Sequence, residues 1–370
     1  MPGVALIAAG GTGGHLFPAE SLALALAKRG WRIHLATDHR VEAYGHDFPA
    51  EKVHTIPSAT ITRSPLAAAR ALVRLGLGYL AAQRLVRTLE PAVAIGFGGY
   101  PTVPPMLAAA RAGVPTVIHD QNAVLGRANK FLAPRATAIA VSFARVDGSG
   151  KGNPKLVETG NPVRPQVLEA AKVAYGARRP RDPFNLLVFG GSQGARFFSE
   201  LVPVAVSLLP ADVRSRLRIV QQARPEDLEK VEQAYAVMGI KADLQPFFRD
   251  LPLRIANSHL VVCRSGASTI AELAVIGRPA IMVPLPGAID QDQKANAEVM
   301  AGAGGGWMVE QRDMNPERLA GELRASIDEP GPLAAAAESA RRVGRPDAVE
   351  RLADLVERIA AEGAAGKVGA

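Results

Sequence analysis

The chain has 370 residues, enough for two or three domains, and its 48% hydrophobic content with only 5% aromatic residues supports large aliphatic cores. The single cysteine, Cys263, excludes an internal disulfide and is compatible with a reducing compartment. The formal net charge of +8 favours an anionic partner. Nucleic acid is disfavoured because no stripe of aromatic and basic residues is present, which leaves anionic lipid or a pyrophosphate-containing substrate.

Two apolar stretches are not expected to be targeting segments. Residues 1–9 lack a basic leader and run directly into glycines, so no signal peptide is predicted. Residues 91–110 carry no charge, but their prolines and glycines would break a membrane-spanning helix.

The chain opens with the pattern of a strand, a glycine loop and a helix. Residues 4–9 predict a buried parallel strand, GGTGGH at 10–15 a loop, and residues 19–29 a helix with Pro18 near its first turn. Leu16 stands where a dinucleotide-binding fingerprint requires glycine, and no P-loop sequence is present. The glycines therefore predict close approach of the backbone to a ligand, and they disfavour an NAD-linked oxidoreductase.

Further apolar runs alternate with helical segments and predict a mostly parallel, doubly wound sheet. The loops that follow three of these strands carry His15, Tyr100 and Asn122 to one edge of the sheet, where converging polar groups indicate a ligand site. The additional strands are predicted at 32–36, 53–56, 92–96, 116–119, 136–141 and 155–158.

Residues 64–89 are helical in composition and basic, and Gly76 and Gly78 predict a break into two helices. Leucine, valine and tyrosine side chains lie between the basic ones. The stretch is either an ordinary solvated helix pair or a surface that binds anionic inner-leaflet lipids. No acidic residue interrupts its arginines and the one just before it, which are Arg63, Arg70, Arg74, Arg84 and Arg87.

The second half repeats the pattern of the first, after a Gly/Pro-rich turn at 160–165. A strand at 184–189 leads into the glycine turn GGSQGA, and a helical tail at 332–361 is expected to return to the first domain. We predict domains at 1–163 and 164–340, with residues 341–370 forming a helix that packs on the first domain. The later strands are predicted at 218–222, 243–246, 259–262, 280–284 and 306–310.

Residues 261–297 carry the most functional information. A turn of glycine and small hydroxyl residues at 265–268 follows a strand, and the N–H groups of the next helix suit an anion. Glu272 on that helix can accept hydrogen bonds from two sugar hydroxyls, and the loop at 290–296 adds carboxylates and amides. These features predict a nucleotide-sugar site. Asp290 and Asp292 also form a D-x-D motif, so a metal site is a weaker alternative.

Six motifs occur in order along nearly the whole chain: GGTGGHLFPA, GFGGYPTVPP, HDQN, GNPVR, GGSQGA, and SGASTIAEL with its DQDQKANA tail. On these motifs the chain resembles the MurG family, the UDP-N-acetylglucosamine transferases of peptidoglycan synthesis. The resemblance implies an α/β GT-B fold, in which two Rossmann-like doubly wound domains face an inter-domain cleft. It also implies inverting transfer of GlcNAc from UDP-GlcNAc to the C4 hydroxyl of MurNAc in lipid I, at the cytoplasmic side of the bacterial inner membrane, with no metal required.

The resemblance assigns donor-binding roles to nine residues. They are Glu272 at the ribose, Phe248 beside the uracil, Ser192 and Arg164 at the diphosphate, Asn122, Asp292 and Gln293 at the transferred sugar, and Thr12 and Gly13 in the glycine loop.

On the acceptor side, the resemblance places Gly14 and Tyr100, with Thr12 also facing the acceptor, and makes His15 the leading candidate for the base. Two positions depart from the family pattern. Asp120 stands where glutamate is usual, and Asp292 replaces the usual glutamine or histidine.

The chemistry of His15 agrees with this role, because an ordinary imidazole pKa of about 6.5 suits proton removal near neutrality. A purely structural role in ordering the glycine loop is the alternative. A transferase of the same fold with another lipid acceptor, and a non-catalytic scaffold that binds a nucleotide sugar, also remain open.

Overall fold

The computed structural model describes residues 3–10, 13–40, 48–59, 65–144, 146–148, 150, 152–176, 179, 181–191, 194–288 and 290–368; for 65–69 and 366–368 it describes the backbone only. The predictions made for Thr12, Arg63 and Ser192 fall outside the described residues.

The chain forms two compact units, each built on one all-parallel sheet. The first unit contains Met1–Arg164 and Pro346–Ala370, and the second contains Pro165–Arg345. The strands are β1 (Val4–Ala8), β2 (Arg32–Thr37), β3 (Lys52–Thr55), β4 (Val93–Gly96), β5 (Thr116–Asp120), β6 (Ala138–Val141), β7 (Leu156–Glu158), β8 (Phe184–Phe189), β9 (Leu217–Gln222), β10 (Asp243–Gln245), β11 (Leu260–Cys263), β12 (Ala280–Met282) and β13 (Gly306–Met308).

Helices connect most of these strands. They are α1 (Gly13–Lys28), α2 (Pro65–Leu89), α3 (Val103–Arg111), α4 (Arg127–Leu132), α5 (Pro165–Ala170), α6 (Arg196–Ser207), α7 (Ala211–Arg214), α8 (Leu228–Val237), α9 (Leu251–Ala256), α10 (Ala267–Ile276), α11 (Asp292–Gly302), α12 (Pro316–Asp328), α13 (Pro330–Val343) and α14 (Ala348–Val368).

The strand order is β3-β2-β1-β4-β5-β6-β7 in the first unit and β10-β9-β8-β11-β12-β13 in the second. In each sheet the chain first adds strands in one direction and then returns to add strands on the other side of the first strand. The two reversals place β1 beside β4 and β8 beside β11. The crevice beyond the carboxyl ends of such a strand pair is where doubly wound sheets bind ligands.

Both faces of the first sheet are covered, which explains why β1 is apolar at every position. Ala5 and Ile7 pack against α1 and α14 on one face, whereas Leu6 and Ala8 pack against α2 and α3 on the other. The alternation follows from the two-residue period of a strand.

The strands lie close to their predicted positions, but three helix predictions were wrong. Helix α1 begins at Gly13, not near residue 19, so His15 lies in its first turn. Pro18 is the sixth residue of this helix, so one backbone hydrogen bond, to the Gly14 carbonyl, is lost there. The tail is two helices, α13 and α14, separated by residues 344–347.

Helix α2 is continuous and does not break at its glycines. Gly78 instead allows close packing, because a Cβ at this position would lie 2.0 Å from the Pro57 carbonyl oxygen. A Cβ on Gly76 would meet nothing within 4 Å, and this residue is exposed.

Candidate active site

His15 lies at the reversal point of the first sheet. Its ring packs against the loop that follows β4, and a Cβ on Gly98 or Gly99 would come within 3.4 Å or 3.5 Å of the ring. Both glycines have positive φ, 84° and 79°, which side-chain-bearing residues rarely adopt. The backbone conformation therefore requires glycine at both positions, and the loop after β4 meets His15 at the sheet edge as predicted.

The imidazole is held by a glutamine from a third strand end. His15 Nδ1 lies 3.3 Å from Oε1 of Gln121, which follows β5. Burial lowers the pKa of His15 below its usual 6.5, although the nearby Asp120 carboxylate partly opposes this shift and Arg40 adds to it. The ring is therefore neutral at pH 7 and can accept a proton.

Asp120, the residue that departs from the family glutamate, is buried and organises the same loop. Its carboxylate accepts hydrogen bonds from the Asn122 N–H at 3.1 Å, the Gly126 N–H at 2.8 Å and Asn129 Nδ2 at 2.9 Å. Burial raises the pKa of this carboxyl, and these three donors oppose the increase. The shorter side chain thus holds the backbone of Asn122 and Gly126 and the side chain of Asn129 in place.

The other predicted residues of the first unit lie around this edge. Gly13 and Gly14 open α1, and Tyr100 begins a short 3-10 turn after the glycines. Asn122 is half-buried beside Asp120. Arg164 lies at the end of the first unit, with its guanidinium 4.5 Å from the centre of the Phe17 ring.

The second unit has a cavity of about 470 Å³ at its own reversal point. The glycine turn after β8 forms one wall, and Gln222 holds it: Gly190 N–H donates to Oε1 and Nε2 donates to the Gly191 carbonyl, both at 2.9 Å. Arg264 and Gln293 also line this cavity.

Arg264 brings a buried positive charge to this cavity. Nη1 donates to the Val283 and Pro284 carbonyls at 3.0 and 3.1 Å, and Nη2 donates to Gln311 Oε1 at 2.6 Å. All three partners are neutral, and the Nε atom has no hydrogen-bond partner among the described residues. Burial lowers the pKa of this guanidinium. A buried cation with neutral partners favours an anionic ligand.

Of the predicted donor residues in this unit, Gln293 lines the cavity and accepts the Leu285 N–H at 3.0 Å through Oε1. Phe248 is buried under Arg254, whose guanidinium lies 4.5 Å from its ring centre. Glu272 is buried on α10, and Asp292 begins α11, accepting the Gln293 N–H at 2.9 Å. Phe248, Glu272 and Asp292 are not among the residues that line the cavity.

Sequence reasoning missed Arg264 and Gln121. Each directly follows a strand, and a polar residue at the carboxyl end of a central strand was the available signal. Their contacts could not be foreseen, because His15 and Gln121 are 106 positions apart.

Within the described ranges, no group of three or more histidine, cysteine, aspartate or glutamate residues is arranged to hold a metal ion. The same part of the chain contains no helix long and apolar enough to cross a membrane. On α2, Leu72, Val73, Leu77 and Leu80 are 52–65% exposed among exposed arginines.

Paired Rossmann-like sheets, with glycine loops at both reversal points and a cationic cavity beside one of them, define a protein with two nucleotide-binding-type units. Residues 5–141 match the model of the glycosyltransferase family 28 N-terminal domain, and residues 185–352 match that of the family 28 C-terminal domain.

Among curated proteins, the chain is 55% identical to a UDP-N-acetylglucosamine–N-acetylmuramyl-(pentapeptide) pyrophosphoryl-undecaprenol N-acetylglucosamine transferase of Rhizobium rhizogenes, covering 97% of this chain and 96% of the relative. It is 60% identical to the enzyme of the same name from a Methylobacterium species, covering 95% of each. The crystal structure of Acinetobacter baumannii MurG superposes with a TM-score of 0.78 and 28% identity, over 97% of this chain and all of that one. The chain belongs to this family, the MurG transferases, and has their GT-B fold.

Proposed function

We propose that this protein transfers N-acetylglucosamine from UDP-GlcNAc to the C4 hydroxyl of MurNAc in lipid I, producing lipid II and UDP. The observation that carries the proposal is the 55% and 60% identity, across nearly the whole chain, to transferases whose names state this donor sugar and this lipid-linked acceptor. We assign the two functions that the reaction needs, a base and an anion-binding site, to the two reversal-point sites described above.

In the proposed reaction, His15 Nε2 takes the proton of the C4 hydroxyl as its oxygen attacks C1 of GlcNAc. The bond between C1 and the diphosphate oxygen breaks, its electron pair leaves with UDP, and the configuration at C1 inverts. A neutral imidazole is required, and the lowered pKa of His15 provides it.

The leaving diphosphate gains negative charge, which the cavity of the second unit is suited to stabilise. Arg264 contributes a buried guanidinium, and α6 presents its N-terminus next to the glycine turn. A helix terminus alone contributes roughly 0.3–2 kcal/mol, so the buried cation is the larger expected source. We assign Ser192 and Arg164 to the same diphosphate.

The remaining donor contacts follow the family assignment. We propose that Phe248 lies beside the uracil and Glu272 binds the ribose hydroxyls. Asn122, Asp292 and Gln293 would hold the transferred sugar, with Thr12 and Gly13 in the glycine loop. Gly14 and Tyr100 would face the acceptor.

Access to a lipid-linked acceptor requires contact with a membrane, and α2 offers a surface for it. Its exposed leucines and valine lie among Arg70, Arg74, Arg84 and Arg87. Apolar side chains within a basic surface suit the interface of an anionic leaflet. We propose that this surface, with Arg63, holds the enzyme peripherally at the cytoplasmic side of the inner membrane.

The direct test is to incubate the protein with UDP-GlcNAc and a lipid I analogue, with and without EDTA, and to measure UDP release and product mass. We expect release that depends on the acceptor and does not require a divalent ion. Equal or greater turnover with a non-muramyl lipid would identify another acceptor, and donor binding without release would favour a scaffold.

A further inference from the structure

A buried chain of hydrogen bonds connects His15 to the GNPVR segment. His15 Nδ1 lies 3.3 Å from Gln121 Oε1, Gln121 Nε2 lies 3.2 Å from His119 Nδ1, and His119 Nε2 lies 3.0 Å from the Gly160 carbonyl oxygen. Gln121 and His119 are 2% and 0% exposed. Their polar atoms must therefore find their hydrogen-bond partners among these neighbouring protein groups.

Two backbone carbonyls determine which atom donates and which accepts in every hydrogen bond of this network. A carbonyl oxygen can only accept, so Gly160 requires a hydrogen on His119 Nε2. The Phe97 carbonyl oxygen lies 3.0 Å from Gln121 Nε2 and likewise requires the amide nitrogen on that side. A neutral imidazole with its hydrogen on Nε2 accepts at Nδ1, which is where the second N–H of Gln121 points. Both carbonyls thus impose the same arrangement.

This arrangement of hydrogen bonds determines the tautomer of His15. With its nitrogen committed to Phe97 and His119, Gln121 presents its oxygen to His15, so Nδ1 of His15 must carry the hydrogen. The lone pair of the neutral ring is then on Nε2. Because burial lowers the pKa of His119 to about 4, His119 stays neutral near pH 7 and the arrangement persists.

We propose that Gln121 and His119 are positioning residues that hold His15 in the tautomer whose Nε2 can accept a proton. The inference rests on the proposed role of His15 as the base and adds the device that prepares it. A neutral amide orients the ring as a carboxylate would, but without a negative charge that would strongly raise the pKa of the imidazole.

The kinetic test compares Gln121→Leu with Gln221→Leu. Gln221 is a matched control in the second unit: its buried amide also donates to a phenylalanine carbonyl, that of Phe198, and its oxygen accepts from Tyr235. We expect Gln121→Leu to lower kcat roughly tenfold, with little change in the KM for UDP-GlcNAc, since a hydrogen bond and its orienting effect are lost. Gln221→Leu should leave kcat near the wild-type value.

A double variant separates positioning from general damage. If Gln121 acts through His15, adding Gln121→Leu to His15→Ala should cause no further loss of kcat. A full additional tenfold loss in the double variant, or an equal loss in Gln221→Leu, would overturn the proposal.

The tautomer can be read without activity, by long-range ¹H–¹⁵N NMR of the full-length protein labelled at histidine, with His15→Ala used to assign the signal. We expect wild-type His15 to carry its hydrogen on Nδ1 and Gln121→Leu to show a mixture. A hydrogen on Nε2 in the wild type would refute the inference even if His15→Ala is inactive. If wild-type His15 carries its hydrogen on Nδ1 but His15→Ala is active, the inferred tautomer stands and only the assignment of His15 as the base is removed.

Discussion

At the residue scale, His15 and His119 show how burial prepares a histidine for two different tasks. Burial lowers the pKa of both rings. His119 is fully enclosed and stays neutral throughout the physiological range, so it serves as a fixed acceptor and donor. His15 is only partly buried at the sheet edge.

His15→Ala should reduce kcat by about 10²- to 10⁴-fold, the range that general base catalysis supplies. The dissociation constant for UDP-GlcNAc, measured by calorimetry, should stay nearly unchanged because the lost group acts on the acceptor. For the wild type, kcat/KM should fall on the acid side only below about pH 6.5, since the pKa of His15 lies below the ordinary value. Near-normal turnover of His15→Ala would remove this residue from the mechanism.

His119 should make the first unit acid-sensitive. Its pKa is about 4 in the folded protein and 6.5 in the unfolded chain, so the unfolded state takes up a proton first as the pH falls. The stabilisation is complete above about pH 6.5 and decreases towards pH 4, with a loss of about 2 kcal/mol by pH 5.

Hydrogen exchange of β1 and β5 under mild denaturant, near pH 7 and pH 5 and corrected for the intrinsic exchange rate, would measure this loss. His119→Gln, which keeps an N–H for Gly160, should show a smaller pH dependence. Identical pH dependence in both proteins would contradict the assigned pKa.

Much of the candidate site could be predicted from the sequence, because a glycine loop after a strand must lie at the carboxyl edge of a parallel sheet. His15, Tyr100 and Asn122 were placed at that edge for this reason. Gln121 and Arg264 were not chosen, since their roles depend on partners far along the chain: Oε1 of Gln121 meets His15, and Nη2 of Arg264 meets Gln311. Local pattern carries no information on such pairs.

At the element scale, α2 illustrates the limit of reading glycine as a helix breaker. Glycine costs a helix about 1 kcal/mol relative to alanine, but packing over the length of a helix can outweigh that cost. Gly78 lies where the helix meets the Pro57 carbonyl, and Gly76 lies where nothing is near. The sequence contains both glycines but not the contact that distinguishes them.

The two glycines therefore form a matched pair for mutation. Gly76→Ala should stabilise the first unit by about 0.4–1 kcal/mol, because alanine has the higher helix propensity and no neighbour obstructs it. Gly78→Ala should destabilise it by about 1–3 kcal/mol, since its Cβ would displace α2 from the 55–59 segment. Thermal denaturation of each variant would check both signs, and stabilisation by Gly78→Ala would contradict the observed packing.

The apolar surface of α2 should determine membrane binding. Replacing Val73 and Leu77 together by glutamine should weaken binding to vesicles containing phosphatidylglycerol by roughly tenfold or more, given about 1.5–3 kcal/mol for each fully buried side chain. Val237→Gln on α8 is the control, because Val237 is 90% exposed in the second unit. Flotation assays would compare them, and equal loss in the control would argue against α2 as the binding surface.

At the scale of the whole molecule, the chain begins and ends in the same unit. Helix α14 packs on α1, and Arg29 forms ion pairs with Glu350, Asp354 and Glu357. Trp31 Nε1 donates to Glu357 Oε1 at 2.9 Å. Ion pairs at this exposure contribute little individually, so the apolar face of α14 must supply most of the attachment.

That apolar face is substantial relative to the stability of a domain. Leu352, Leu355, Val356 and Ile359 are at most 4% exposed within the core shared with β1 and α1. At about 1.5–3 kcal/mol each, their burial amounts to about 6–12 kcal/mol, close to the whole unfolding free energy of a typical domain.

Deleting residues 346–370 should therefore unfold the first unit while the second, with its separate core around β8 and α6, stays folded. Hydrogen exchange should show rapid exchange in β1, β4 and β5 but protection in β8 and β11, and the variant should still bind UDP at the Arg264 cavity. Arg29→Ala, which removes the ion pairs but keeps the apolar face, should leave β1 protected. Protection of β1 in the deletion variant would show that the first unit closes its core without the C-terminal helix.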